Sequence, residues 1–168
     1  MMLTCNELSS KYSVKKLSEE DVPKILTVCK GNPTYYKYFK QDPTSEDITE
    51  SLTALPPNKT MEDKYFVGLY EGDSLVAILD LIAGYPNEDV AYIGWFMMNQ
   101  AFQGAGVGTR IIEEVMAYLK SKHFRQVQLG YIKGNAQAKS FWIKNNFIPA
   151  GSEAEGEAYT IVKMKREI

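Results

Sequence analysis

The stretch QGAGVGTR, residues 103–110, places three glycines within five positions, directly before the helical pattern IIEEVMAYLK. Because glycine has no side chain, the backbone N–H groups of such a turn can converge on a phosphate group. The positive end of the following helix dipole adds to that attraction. Arg110 offers a further phosphate contact. The spacing therefore predicts a binding loop for a phosphate compound.

Two nucleotide-binding motifs fail at individual positions of this loop. A dinucleotide-binding G-x-G-x-x-G would need glycine where Thr109 stands, and no acidic residue ends a strand about 20 residues later. The P-loop requires Gly-Lys-Ser/Thr, but Thr109 follows Gly108 without a lysine. A dinucleotide-dependent oxidoreductase is therefore disfavoured. A tight strand-to-helix connection, in which glycine supplies only unusual backbone angles, stays open.

Asp80 is the titratable residue whose surroundings suggest proton transfer. It interrupts the apolar run SLVAILDLIA (74–83), so burial should raise its pKa toward the range of a general base. The alternative is an aspartate that pairs with a hydroxyl or an amide in the core. His123 near a helix end is expected to be a surface or structural residue, and Glu88 and Asp89 in a hairpin loop are expected to be solvated.

The elements that would carry these residues follow from apolar periodicity and turn signals. Capping boxes at SEED (18–21) and TSED (44–47) predict two helix starts, the second helix ending before Pro56-Pro57. The runs 64–70, 74–83 and 90–98 predict an antiparallel meander. Further helices are predicted from 107 and 135, and further strands at 11–17, 126–132, FIPAG and EAYTIVKMK.

The resulting order is β-α-α-β-β-β-α-β-α-β-β. Such an order predicts an α/β, three-layer fold whose central mixed, mostly antiparallel sheet is flanked by about four helices. A chain of 168 residues fits a single domain, 1–168.

Composition excludes several functional classes. A net charge of -2 gives no excess of basic residues for nucleic acid or an anionic membrane. Cys5 and Cys29 lack metal-ligand spacing, which predicts no metal site and suits a reducing cytoplasm. The N-terminus lacks the apolar region of a signal peptide, and no run approaches the ~18 apolar residues of a membrane helix.

The pattern Gln-x-x-Gly-x-Gly, here Gln103, Gly106 and Gly108, resembles the acyl-CoA loop of the GNAT superfamily of N-acetyltransferases. VAYIGWFMMNQAFQGAGVGTRIIEEVM is similar to the strand–loop–helix core of that family. NAQAKSFWIKNNF resembles its later segment N-x-x-A-x-x-[FL]-Y-x-x-x-G-F. The resemblance extends over residues 65–150 and is vague over the first 60 residues.

The resemblance implies acetyl-CoA as co-substrate and a set of binding residues. The backbone of Phe96, Met97 and Met98 would pair with the pantetheine arm as another strand would, and the Met98 amide would donate to the oxyanion. Asn135 would bond to the arm, or it simply caps the next helix. The pyrophosphate would be held by Gln103, Gly104, Ala105, Gly106, Val107, Gly108 and Thr109.

Two positions depart from the family pattern. Asn146 stands in place of a glycine, and asparagine tolerates the left-handed conformation expected there. Trp142 stands where many members carry a tyrosine general acid, and indole has no titrating proton. Tyr92 lies eleven residues before Gln103, where some relatives place a glutamate base, and a phenol there would position a water. Whether Asp80 and Tyr92 share a face depends on a one-residue register.

The implied function is transfer of an acetyl group from acetyl-CoA to a primary amine by direct attack on the thioester. A CoA-binding regulatory module without turnover is the alternative, suggested by Trp142. The aromatic stretch PTYYKYF (33–39) either walls an acceptor pocket, through stacking or cation–π contact, or covers the core. The acceptor is left open between a small molecule and a protein amine, and a homodimer is left open as well.

Overall fold

The computed structural model describes residues 2–168, and all of its strands belong to one seven-stranded sheet. The strands and helices in chain order are β1 Ser13–Lys16, α1 Val22–Lys30, α2 Pro33–Phe39, α3 Ser45–Thr53, β2 Lys64–Glu71, β3 Ser74–Ala83, β4 Val90–Met98, α4 Val107–Ser121, β5 Gln126–Ile132, α5 Ala136–Lys144, β6 Ile148–Glu155 and β7 Thr160–Glu167.

The sheet has the order β1-β2-β3-β4-β5-β7-β6, and its neighbours are antiparallel except for β4 and β5. The predicted mixed, mostly antiparallel sheet is confirmed. One apolar cluster packs α4 and α5 against one face of the sheet, with Ile111, Val115 and Trp142 among its members. A second cluster packs α1 and α3 against the other face, through residues such as Ile25 and Leu52. The three predicted layers follow from these two clusters.

The parallel pair β4 and β5 separates after a short contact. Their register covers Val90 to Ile93 against Gln126 to Leu129, while β5 continues along β7 as far as Ile132. The second half of β4 therefore has a sheet neighbour on the β3 side and a gap on the β5 side. This gap divides the sheet into two parts at its centre.

A β-bulge in β4 changes which side chains face the same way. Asp80 lies opposite Trp95, yet the next residue of β3, Leu81, lies opposite Ile93, so Gly94 is the extra residue. A Cβ atom on Gly94 would lie 2.8 Å from Oδ2 of Asp80, so glycine lets the carboxylate approach the strand. The extra residue brings Tyr92 and Trp95 onto one face although they are three positions apart.

The helices agree with the sequence prediction except in one segment. Pro33–Phe39, expected as a connection, forms the separate helix α2, with Pro33 in the first turn and Lys40 left-handed at its end. Proline at a helix start needs no N–H donor, which favours this short helix. The Ser18 capping box forms, but at the second site Thr44 accepts from the Asp47 amide without the reciprocal bond. Asn146 is left-handed as expected.

Candidate active site

A cleft of about 340 Å³ lies between the end of β4, the start of α4 and α5. The predicted binding residues line it, with the exception of Ala105. Ala105 is an exposed loop residue outside the lining, because it follows the left-handed Gly104 at the outer edge of the turn. The lining residues among those predicted are Phe96, Met97, Met98, Gln103, Gly104, Gly106, Val107, Gly108, Thr109, Asn135 and Trp142.

The glycines of the loop serve two different purposes. Gly104 and Gly106 have φ values of 89° and 74°, and Gly106 is the N-cap of the 15-residue helix α4. A Cβ atom at either position would meet no atom within 4 Å, so the left-handed backbone, and not a lack of space, favours glycine there. At Gly108 a Cβ atom would lie 3.0 Å from the Phe141 ring, so this glycine permits close packing of α4 against α5.

The backbone at the end of β4 is available on the side of the gap. Asn99 donates from its amide to Val76 O at 2.8 Å, toward β3. Because successive residues of a strand point their N–H groups in opposite directions, the amides of Phe96 and Met98 face the gap. The carbonyl of Met98 accepts from Asn32 Nδ2 at 2.9 Å and from Gln103 Nε2 at 3.1 Å.

Asn32 is a site residue that sequence reasoning missed. Its Nδ2 also donates to Val28 O at 2.9 Å, and its Oδ1 accepts from Gln103 Nε2 at 2.8 Å. These bonds tie the end of α1 to the end of β4 and to the loop. The Gln103 side chain thus fixes the loop on Met98 and Asn32, although the sequence pattern suggested a direct pyrophosphate contact. No local signal could reveal this, since Asn32 and Met98 are 66 positions apart.

The segment after β5 contributes Asn135 and Trp142. Asn135 caps α5, since its Oδ1 accepts from the Ala138 amide at 3.1 Å. This confirms the capping role, and the lining position leaves a contact with the pantetheine arm as a prediction. Trp142 is 7% exposed, and its ring packs against Phe96, Phe141 and Phe147 at centroid distances of 6.0, 4.9 and 5.2 Å.

A second cavity, of about 370 Å³, lies on the other side of β4. The stretch PTYYKYF supplies Tyr35, Tyr36 and Phe39 to its wall, and α3 supplies Asp47 and Ile48. Tyr35 and Phe39 are stacked at 5.9 Å, and Tyr36 meets both edge-on. The floor is made by β3 and β4 and contains Asp80, Ile82, Tyr92, Gly94 and Trp95. Tyr92 lies opposite Ile82, two positions from Asp80 on β3, so both predicted proton-transfer residues line one cavity, called the aromatic cavity below.

Asp80 forms an ion pair with Lys64, a partner different from the hydroxyl or amide considered as the alternative to a general base. Lys64 Nζ lies 3.0 and 2.9 Å from the two carboxylate oxygens and donates to Ala54 O at 2.8 Å. Both residues are buried. Burial raises the pKa of the Asp80 carboxyl above its ordinary value, and the Lys64 ammonium offsets part of that rise. Sequence reasoning missed this partner, because Lys64 is 16 residues away on another strand.

Tyr92 is a half-buried residue at the far end of the floor. Burial raises its pKa above the ordinary value, and the neighbouring Tyr85 raises it further. The two rings meet edge-on at 5.5 Å. The Tyr92 hydroxyl also lies close to Gly130 on β5, where a Cβ atom would be 3.5 Å from it. Tyr92 is therefore neutral near pH 7, able to donate a hydrogen bond or hold a water.

A third cavity, of about 310 Å³, lies in the gap where β4 and β5 separate. It shares Trp95, Gly94 and Phe39 with the aromatic cavity, and Phe96, Asn135 and Trp142 with the cleft beside α4. The three cavities therefore adjoin one another along β4, with the glycine loop at one end and the aromatic cavity at the other.

Within residues 2–168 no cluster of three or more His, Cys, Asp or Glu side chains is arranged around a possible metal ion. None of the described helices has the length and apolar character needed to cross a membrane.

A sheet that splits between two parallel strands, with a glycine-rich helix start beside the split, defines the class of acyl-CoA-dependent acyltransferases. The sequence model of the Acetyltransferase (GNAT) family matches residues 30–147, well over half of the chain. The chain belongs to the GNAT acetyltransferase family.

Solved structures share this fold at low sequence identity. An acetyltransferase from Thermus thermophilus is 22% identical, with a TM-score of 0.75 over 94% of this chain and 97% of that one. The PaiA N-acetyltransferase from Thermoplasma acidophilum, in complex with coenzyme A, is 17% identical, with a TM-score of 0.65 over 94% and 99%.

A third structure with this fold is an acetyltransferase from Salmonella typhimurium that modifies the N-terminal serine of a 50S ribosomal subunit protein. It is 16% identical, with a TM-score of 0.70 over 96% of this chain and 97% of that one. Comparison with the sequences of curated proteins gave no match.

Proposed function

We propose that this chain transfers an acetyl group from acetyl-CoA to a primary amine. The observation that carries the proposal is the third cavity at the split in the sheet, which shares lining residues with both the glycine-loop cleft and the aromatic cavity. A thioester in the cleft and an amine in the cavity would meet beside the free amides of β4. Proximity of this kind removes much of the entropic barrier to a reaction between two molecules.

The co-substrate would be held by backbone groups along most of its length. The amides of Gly106 to Thr109 at the start of α4 would bind the pyrophosphate, assisted by the helix dipole. The pantetheine arm would pair with Phe96 and Met98 in the place that β5 leaves free. The side-chain amide of Asn135 would bond to a carbonyl of the arm. We assign this donor role to Nδ2, because Oδ1 serves the helix cap.

The reaction itself would proceed in one direct attack. The amine nitrogen forms a bond to the thioester carbonyl carbon, the carbonyl oxygen becomes an oxyanion, and the C–S bond breaks to release the thiolate. The Met98 amide would stabilise the oxyanion, a contribution worth roughly 3 kcal/mol in comparable acyl transfers. CoA thiolate leaves without obligatory protonation, since a thiol has a pKa of about 8.5. Trp142 in place of a tyrosine acid would then slow the reaction without stopping it.

Removal of the amine proton is the step for which Asp80 and Tyr92 are candidates. Asp80 would accept the proton directly or through a water, and the adjacent Lys64 would keep it ionised until the ammonium arrives. Tyr92 is neutral near pH 7, so we assign it to holding that water and not to accepting the proton. The pairing of Asp80 with Lys64 reduces its basicity.

The decisive experiment follows release of the CoA thiol from acetyl-CoA with a panel of primary amines. Amine-dependent thiol release, together with a mass increase of one acetyl group on the amine, supports the proposal. Acetyl-CoA binding measured by calorimetry, without thiol release for any amine or peptide in the panel, would favour the second candidate. That candidate is a CoA-binding regulatory module, for which the absence of a tyrosine acid at Trp142 is the supporting observation.

Three further parts of the proposal concern the protein as a whole. We propose that residues 1–168 act as a single domain, since all described strands belong to one sheet. We propose a cytoplasmic location, to which the free thiols of Cys5 and Cys29 are suited. A homodimer remains part of the proposal, and light scattering at several protein concentrations tests it.

A further inference from the structure

Two carboxylates line the aromatic cavity, and they differ in whether a cation is paired with them. Asp80 is neutralised by Lys64, whose ammonium contacts both carboxylate oxygens. Asp47 is half-buried at the other side and accepts a hydrogen bond from Gln41. Among residues 2–168 no Lys, Arg or His nitrogen lies within 4.0 Å of Asp47. Asp47 and Asp80 are the charged residues of the described lining, so the cavity as a whole carries about one uncompensated negative charge.

Most of the remaining wall is aromatic or aliphatic, and its polar groups include the hydroxyls of Ser51 and Tyr92 and the Trp95 indole N–H. Tyr35, Tyr36 and Phe39 contact one another at centroid distances of 4.9–5.9 Å, which fixes their rings before any ligand enters. Phe39 is further held by Tyr159 at 5.5 Å. Aromatic faces attract a cation that has left water, and they also pack against an apolar body. Aliphatic lining residues, among them Ile48, Leu55 and Ile82, extend the apolar surface.

The carboxylate of Asp47 and the aromatic wall together should bind some classes of amine better than others. One ammonium is matched by Asp47 and by the aromatic faces. A second ammonium would be desolvated against apolar walls without a partner, which is unfavourable for a buried charge. A carboxylate on the acceptor would meet Asp47 and find no free cation in the described lining. A peptide would bury several main-chain amides, and the described lining offers them few polar partners, such as the Trp95 indole N–H and the Tyr92 hydroxyl.

We infer that the acceptor is a small primary amine with one positive charge and an apolar aliphatic or aromatic body. The inference rests on the proposed acetyl transfer, which it deepens by naming the class of acceptor. A cavity of about 370 Å³ lies near the lower end of the range for small-molecule sites, which agrees with a compact ligand. Asp47 is the residue that recognises the ammonium on entry.

Matched pairs of amines test the inference. Hexylamine and 1,6-diaminohexane differ by the second ammonium, and 2-phenylethylamine and phenylalanine differ by the carboxylate. A tripeptide with a free amino terminus and an amidated carboxyl terminus represents protein acceptors. We expect kcat/KM for thiol release to be at least ~10-fold higher for the singly charged member of each pair, and higher than for the tripeptide. Equal or reversed ranking overturns the inference while thiol release itself upholds the proposed transfer.

Measuring how tightly the amines bind shows whether the acceptor class or the proposed acetyl transfer is wrong. Calorimetry with the CoA-saturated protein measures affinity for the same five compounds. If the singly charged amines bind more tightly but no thiol is released, the acceptor class stands and the proposed transfer fails. If neither hexylamine nor 2-phenylethylamine binds or reacts, the inference is overturned.

Asp47→Asn examines the recognition step by itself. We expect KM for hexylamine to rise about 10-fold, equivalent to about 1.4 kcal/mol, with kcat changed less than ~3-fold and acetyl-CoA affinity unchanged. Glu46→Gln is the matched control, because Glu46 is an exposed neighbour on the same helix turn and lies outside the cavity lining. An unchanged KM in Asp47→Asn, or an equal rise in the control, would contradict the assignment of Asp47.

Discussion

Among the individual residues, the pair formed by Lys64 and Asp80 combines stability and chemistry. Both side chains are buried, and Lys64 Nζ is bonded to two carboxylate oxygens and to Ala54 O. Removing one member of a buried pair leaves an uncompensated charge, which costs more than the pair contributes to stability. Any variant of Asp80 is therefore expected to change stability, so its effect on turnover must be measured separately from its effect on folding.

Asp80→Asn should lower the free energy of unfolding by about 3 kcal/mol, because Lys64 is left buried without an anion. If Asp80 is the base, turnover should fall at least ~100-fold with acetyl-CoA affinity kept. Urea denaturation and steady-state kinetics measure the two quantities. The double variant Asp80→Leu with Lys64→Met is the control, since it removes both charges and should regain stability without regaining turnover. An active, normally pH-dependent Asn variant would return Asp80 to a structural role.

For Trp142 we expect the packing of the ring to matter more than any proton donation by the indole N–H. Trp142→Phe keeps the aromatic contacts with Phe96, Phe141 and Phe147, so we expect turnover to fall less than ~10-fold, or about 1.4 kcal/mol. Trp142→Ala should lower the free energy of unfolding by about 3–5 kcal/mol and weaken acetyl-CoA binding as well. Kinetics and calorimetry of both variants check this. Equal loss of turnover in both variants at unchanged affinity would mean that the indole N–H takes part in the reaction.

Among the helices and strands, the start of α4 and the end of β4 form one unit. Gly106 caps the helix in the left-handed region, while Gln103 and Asn32 fasten the loop to the Met98 carbonyl. The loop is therefore positioned by tertiary bonds, and its backbone amides are left for a ligand. The same bonds leave the Met98 amide pointing into the gap between the strands.

Gly106→Glu should abolish acetyl-CoA binding while the fold persists. The side chain would enter the open space in front of the helix start and place a negative charge where the pyrophosphate would bind. Gly106→Ala is the matched control, because it adds the left-handed strain, roughly 1–2 kcal/mol, without the charge or the length. Calorimetry measures binding, and circular dichroism verifies the fold. Unchanged affinity in a folded Glu variant would refute the loop assignment.

Across the fold as a whole, two glutamates of α4 connect distant parts of the chain. Arg166 on β7 donates to Glu113 at 2.7 and 3.1 Å and holds the pKa of that carboxyl below its ordinary value. Burial raises the pKa of Glu114, but hydrogen bonds from Ser10 and Ser9 outweigh it, so the net pKa is lowered. Helix, last strand and N-terminal segment are thus held together by carboxylates in their ionised form.

The sign of the resulting pH dependence follows from linkage. Both carboxyls have pKa values below the ordinary 4.5, so their contribution is present above about pH 4.5 and is lost as the pH falls through the folded-state values. Glu114→Gln should therefore reduce the loss of stability on acidification from about pH 6 to about pH 3. Urea denaturation across this range measures it, with Glu46→Gln as the exposed control. A variant whose acid dependence matches that of the unchanged protein would rule out this contribution.

The secondary structure and the glycine loop could be predicted from local sequence. Apolar residues recur about every second position in the strands of the meander and about every 3.6 positions in α4. This recurrence predicted both elements, because buried residues must lie on one face of a strand or helix. The glycine spacing located the helix start, since the left-handed backbone at Gly104 and Gly106 restricts the residue type. The short helix α2 was missed, because a proline-led run of aromatics carries a weak local signal.

Which of these residues meet depends on packing between the elements. Tyr92 and Trp95 are an odd number of positions apart, and only the bulge at Gly94 brings both onto the face of Asp80. Lys64 and Asn32 reach their partners across 16 and 66 positions, so no local pattern could assign them. The physical reason is that a strand alternates its faces with a period of two, so one inserted residue reverses every side chain beyond it. Such an insertion, like a long-range hydrogen bond, is set by contacts that form only when the chain is folded.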